Sequence, residues 1–135
     1  MPTMLAAFFD RYQRAFERRQ VDKLLDIIAV PCLVATGHHP SAVTDTDTLR
    51  TRLEAQVERH AEAGVADATF EITAHRRLAP GLLQAEVRWT FADANARPLT
   101  TFDLMYLITV ADDGWRIIVV APVESIGGAA VTPTR

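Results

Sequence analysis

Hydrophobic and polar positions divide the chain into a helical first half and a stranded second half. Leu5, Phe8, Phe9, Tyr12, Ala15 and Phe16 recur at steps of three and four, the spacing of one helix face. Arg11, Arg14, Glu17 and Arg18 fall mostly on the opposite face. The pattern predicts an amphipathic helix capped by Thr3, with its aromatic stripe turned toward a core. A break at Arg19-Gln20 precedes a short second helix, about Val21 to Ala29, which Pro31 ends. Cys32 to Ala35 reads as a short strand, and residues 36–45 as a loop with Val43 in a brief strand. Thr46 or Asp47 is the expected cap of a third helix running to about Ala63. Leu49, Leu53, Val57 and His60 share one of its faces, and Gly64 is its stop.

The second half alternates with a period of two. Leu83, Ala85, Val87, Trp89 and Phe91 interleave with Gln84, Glu86, Arg88 and Thr90. Phe102, Leu104, Tyr106, Ile108 and Val110 repeat the pattern. Pro80-Gly81 suits the centre of a type II turn, which pairs Ala79 with Leu82 and sets a register. In that register Arg76 faces Ala85, Ala74 faces Val87, Ile72 faces Trp89 and Phe70 faces Phe91. A turn near Asn95-Ala96 sets Trp89 opposite Phe102 and Val87 opposite Leu104. Asp112-Asp113-Gly114 brings Val110 to Trp115 and Ile108 to Ile117. All three hairpins put their apolar residues on one face, which a one-residue slip would destroy.

The fold class these elements predict is α+β. Three N-terminal helices pack on the inner face of a curved, mostly antiparallel sheet of four to six strands. Residues 1–124 form one domain, and residues 125–135 read as a loosely held C-terminal tail. The outer face carries His75 opposite Glu86 and Arg88 opposite Asp103. It also carries Met105, Leu107, Ile118 and Val120, an apolar set that a second copy of the chain would cover. A homodimer is therefore expected.

Composition narrows the function classes. A chain of 135 residues, 49% hydrophobic and 23% charged, suits one domain with its own core. The net charge of −3, without charge runs, argues against nucleic acid or an anionic membrane as partner. The single cysteine, Cys32, excludes an intramolecular disulfide and points to the cytoplasm. Asp10 and Arg11 interrupt the first apolar stretch, so no signal peptide is expected. No Gly-rich phosphate loop, GxSxG or CxxC motif occurs. No cofactor or metal is expected. The side chains of adjacent His38 and His39 need not converge, and His60 and His75 have no ligand at a regular spacing. Asp45 and Asp47 read as helix caps.

Several local patterns carry a resemblance: Phe9-Asp10-Arg11-Tyr12 through Asp22-Lys23-Leu24-Leu25, the Gly64-to-Leu78 entry into the sheet, Trp89-Thr90-Phe91, and Asp113-Gly114-Trp115-Arg116-Ile117. With the order of elements, they resemble the NTF2-like superfamily over roughly residues 4–124. That superfamily includes ketosteroid isomerase and SnoaL-type cyclases. The resemblance implies a cystatin-like cone with an apolar pocket at its wide end, and frequent dimerisation. Tyr12 matches the oxyanion-donating tyrosine of the isomerases. Thr36, which cannot act as a base, stands where their catalytic aspartate is expected. Asp103 lies near their second acid, yet its register points it outward. Isomerase chemistry of that type is not expected.

The candidate ligand-binding residues are Tyr12, His38, His39, Trp89, Phe102 and Tyr106. The two histidines sit in the loop after the first strand and titrate near neutrality. Tyr12 is a phenol on a buried face and needs a partner. Trp89, Phe102 and Tyr106 share the inner sheet face, as either pocket lining or plain core. Arg76 stands on the inner parity, where it would hold an anion or snorkel past the core edge. Cys32 reads as a buried small hydrophobe. The primary expectation is a binding protein for a small, mostly apolar molecule. The alternatives are a non-enzymatic dimerisation module with a filled core, and a SnoaL-like enzyme using a loop histidine as acid–base group. Whether a ligand is turned over stays open.

Overall fold

The aromatic stripe of the opening segment forms α1 (Pro2–Glu17). Leu5, Phe8, Phe9, Tyr12 and Ala15 are buried, as their spacing requires. The computed structural model describes residues 2–35 and 39–124; the proposed tail, Thr36 and His38 lie outside them. Because α1 already includes Pro2, Thr3 lies in its first turn and does not cap it.

Helix α2 (Val21–Ile27) passes directly into strand β1 (Ile28–Val34). The expected helix to Ala29 is thus too long, and the strand starts before Cys32. Pro31 lies inside the strand, after a cis peptide bond. The run Ile27-Ile28-Ala29-Val30 suits helix or strand equally by its pattern. Parallel pairing of Ile28 with Ile117 decides for strand. A short β2 (Ser41–Val43) follows, then α3 (Thr46–Glu62). Asp45 caps α3, its carboxylate accepting the Thr48 backbone N–H at 2.8 Å. The cap is therefore neither Thr46 nor Asp47. Gly64, at φ +80°, ends the segment in the left-handed conformation.

Four long strands complete the chain: β3 (Asp67–Ala79), β4 (Leu82–Ala92), β5 (Pro98–Ala111) and β6 (Gly114–Pro122). The six strands form one sheet in the order β2-β1-β6-β5-β4-β3. Only β1 and β6 run parallel among the paired strands. The sheet is mixed and mostly antiparallel, as the alternation predicts.

The β4–β5 and β5–β6 registers follow the turns. Trp89 pairs with Phe102, Arg88 with Asp103, and Val110 with Trp115. In β3–β4 two bulges intervene, between Arg77 and Ala79 and between Ile72 and Ala74. Each adds one unpaired residue and reverses facing parity. Between them, His75 lies opposite Ala85, Ala74 opposite Glu86, and Arg76 opposite Gln84. The expected His75–Glu86 pair is not formed, and Arg76 moves off the inner parity. Beyond the second bulge parity returns, shifted by one pair. Phe70 faces Trp89, and Ala68 faces Phe91.

A third bulge lies in β6. Ile117 pairs with Ile108, Val119 with Leu107, and Val120 with Tyr106. Val120 therefore faces inward, contrary to its expected place with Met105, Leu107 and Ile118 on the outer face. Val119 takes the outer position beside Leu107.

Inside, α1 lies across the sheet through its aromatic rings. Phe9 meets Tyr106 edge-on, with centroids 5.0 Å apart, and Phe8 at 5.3 Å. No helix among the described residues is long and apolar enough to cross a membrane. Truncating Phe9, which is fully buried, removes the centre of this packing. Phe9→Ala is expected to lower unfolding free energy by about 3–5 kcal/mol in urea titration. Met4→Ala, on the exposed side of the same helix, should stay within about 0.5 kcal/mol of the parent.

Candidate functional site

The first half of the α1 stripe seals the inner sheet face, and the second half borders an open space. Tyr12 and Phe16 line a cavity of about 430 Å³, within the size range of small-molecule sites. Ile28 and Cys32 of β1, Leu53 and Val57 of α3, and Ile117 and Val120 of β6 supply apolar walls.

Three aromatic side chains carry the polar groups of the interior. Trp89 Nε1–H donates to Tyr106 Oη at 2.8 Å. An indole nitrogen can only donate, so the Tyr106 oxygen is the acceptor. Tyr12 packs edge-on against Tyr106, with ring centroids 5.9 Å apart. Burial pushes both phenols well above their ordinary pKa, and the polar influence of the Tyr106 hydroxyl offsets this only in part at Tyr12. Both therefore stay neutral near pH 7 and act as hydroxyl donors or acceptors. Among the described residues, every buried side-chain nitrogen and oxygen has a partner.

Charged and titratable groups also line the cavity. Glu17 Oε2 accepts the Ala68 backbone N–H at 2.7 Å, which satisfies a donor of β3, the last strand of the sheet. Burial raises the Glu17 pKa against the opposing pull of that bond. His60 packs between Phe91 and Phe16, with centroids 4.9 and 6.0 Å away. Burial lowers its pKa, and neighbouring Arg59 adds to the effect. Cys32 is pushed up by burial, with Arg52 opposing. Its thiol is thus held protonated, which removes the nucleophilic form. Among the described residues, no group of three or more histidine, cysteine, aspartate or glutamate side chains gathers to hold a metal.

A family model described as NTF2-like protein (DUF6841) matches residues 4–125. The chain belongs to this NTF2-like family. Solved structures agree on the fold. An NTF2-like protein of unknown function from Shewanella oneidensis MR-1 superposes with a TM-score of 0.70 at 16% identity, covering 90% of this chain and 98% of that one. A domain of unknown function with a cystatin-like fold from Nostoc punctiforme PCC 73102 gives 0.67 at 14% identity, covering 93% and 78%. An NTF2-like protein of unknown function from Silicibacter pomeroyi DSS-3 gives 0.60 at 18% identity, covering 87% and 89%. Identities this low speak to fold alone. No curated protein matches the chain.

In this NTF2-like chain, Tyr12, Trp89, Phe102 and Tyr106 all line the cavity. His39 is exposed and is not among the lining residues; His38 lies outside the described residues. A different histidine, His60, borders the space. Its position on the apolar face of α3, in step with Leu49, Leu53 and Val57, was the signal for it. Arg52 and Glu17 gave no such signal, because each reads as part of a solvated helix face. Asp103 lies on the outer face, where Arg88 binds it through two hydrogen bonds of 2.9 and 3.2 Å. That places it across the sheet from the cavity. Cys32 is buried in the core cluster.

The folded state disfavours charged His60, so its folded pKa lies below its unfolded one. The resulting stabilisation is fully present above pH 6.5, the ordinary value. It is lost as pH falls through the lowered folded value. An NMR titration should place the His60 midpoint below 6.5, and His60→Gln should flatten the acid side of the stability–pH curve.

Proposed function

We propose that this NTF2-like protein binds a small, mostly apolar organic molecule in the cavity between α3 and the sheet. One observation carries the reading: the 430 Å³ space has apolar walls and two neighbouring tyrosine hydroxyls at its edge. A purely structural module has no need of such a space, because close packing of the same surfaces would stabilise it further. Trp89 donates to Tyr106, and Tyr12 stands beside Tyr106 on the cavity wall. The Tyr12 hydroxyl would donate to an acceptor on the ligand, a carbonyl or hydroxyl oxygen. Trp89, Phe102 and Tyr106 present aromatic surface to the ligand body. Any acid–base step would fall to His60, which stays largely neutral near pH 7 and can accept a proton.

Native mass spectrometry of freshly purified protein should show a bound small molecule that denaturation releases. Tyr12→Phe should weaken rebinding of that molecule by about tenfold, the worth of one hydrogen bond in a dry site. Ligand-free protein that shows no thermal shift across a panel of apolar carbonyl compounds would end the binding reading.

A second reading concerns assembly. Leu33, Val119 and Leu107 pair in a row across β1, β6 and β5 on the outer face, beside Met105. Leu33 is 39% exposed. We propose this row as a homodimer contact that coexists with the cavity. Light scattering should report a dimer, and Leu107→Lys should shift it to monomer.

A further inference from the structure

Four arginines of the described residues pair with a carboxylate. Arg14 pairs with Asp10, Arg50 with Asp22, Arg88 with Asp103, and Arg116 with Asp113. Arg52 lines the cavity and has no such partner among the described residues. Its guanidinium is nevertheless held in place, because Nη1 donates to Ser41 Oγ at 2.7 Å. That bond fixes it between α3 and β2. Its charge reaches the cavity wall, where it opposes the rise in the Cys32 pKa.

A guanidinium has five N–H donors in a planar fork, and Ser41 uses one of them. The others suit the two oxygens of a carboxylate. The position matters as much as the charge. Arg52 lies one helical turn before Gln56 on α3, and both border the cavity. An apolar molecule entering the space would leave its polar end beside this row. Arg76, the cation singled out from the alternation, is exposed and does not line the cavity. Arg19 and Arg59 also border the cavity; Arg52 is chosen among the three because Ser41 orients its guanidinium and its charge acts on Cys32 in the wall.

We propose that the ligand is an amphipathic carboxylate, with its apolar body inside the cavity and its carboxylate on Arg52. This rests on the cavity being a binding site and adds the chemical class of what enters it. Glu17, the carboxylate among the lining residues, is already held by the Ala68 N–H, and it would repel an anion placed beside it. The head group is therefore assigned to the Arg52 side.

Calorimetry with two matched pairs tests this near neutral pH: decanoate against 1-decanol, and 2-naphthoate against 2-naphthalenemethanol. In the parent protein at least one carboxylate should bind at least about tenfold tighter than its alcohol, as expected for a charge-assisted hydrogen bond. Arg52→Gln should abolish that preference and leave alcohol binding unchanged, whereas Arg52→Lys should retain part of it. Circular dichroism melts would confirm that both variants fold. Equal binding of carboxylate and alcohol would overturn the proposal, as would a preference that survives Arg52→Gln; in either case the cavity reading stands. If no compound of either pair binds the parent protein at millimolar concentration, the cavity reading fails and the carboxylate assignment falls with it.

Discussion

The edge-on contact of Phe9 with Tyr106, at 5.0 Å between centroids, is the constraint on which the rest depends. A sheet whose inner face carries Val87, Trp89, Phe102, Ile108 and Ile117 cannot leave that face in water. Helix α1 meets the need with a stripe of rings over its first half. Leu5, Phe8 and Phe9 are buried there almost without exposure. Farther along, Tyr12 and Phe16 reach the inner face without filling it, and the cavity begins there. Core and cavity are thus two ends of one helix–sheet contact.

The low-dielectric interior sets the chemistry of the groups that border this space. Burial keeps Tyr12 and Tyr106 as phenols, favours neutral His60, and holds Cys32 as a thiol. In these forms the groups are equipped for hydrogen bonding, and the thiol is held in its non-nucleophilic form. Charged groups border the space where solvent can reach them, Arg52 and Arg59 on α3 and Glu17 and Arg19 at and just beyond the end of α1. The proposed ligand, an apolar body with a polar end, matches that division.

Bulges show how tolerant the inner face is of local irregularity. Facing parity has a period of two, so a single inserted residue sends the following side chains to the opposite face. In β3 a second bulge undoes the first, and Phe70 still shares a face with Trp89. In β6 there is one bulge among the paired residues, so Val120 turns inward and completes the wall near Tyr106. The outer apolar row is then built from Leu33, Val119 and Leu107.

The amino-acid pattern by itself determined the α1 stripe, the inner sets of β4 and β5, and the hairpins that align Trp89 with Phe102 and Ile108 with Ile117. Those features follow from periodicity and turn residues, which act between neighbours along the chain. The placement of Tyr12 and Trp89 beside one space was legible for the same reason. Tertiary structure decided the rest. Ile28 became strand because β6 offered it a parallel partner, and no local signal encodes a partner about ninety residues away. The bulges in β3 and β6 left no mark that alternation could detect. The distinction between filled core and cavity, and the roles of His60 and Arg52 at its edge, depend on how far α3 stands from the sheet. That spacing is a property of packed volumes, which a one-dimensional pattern does not contain.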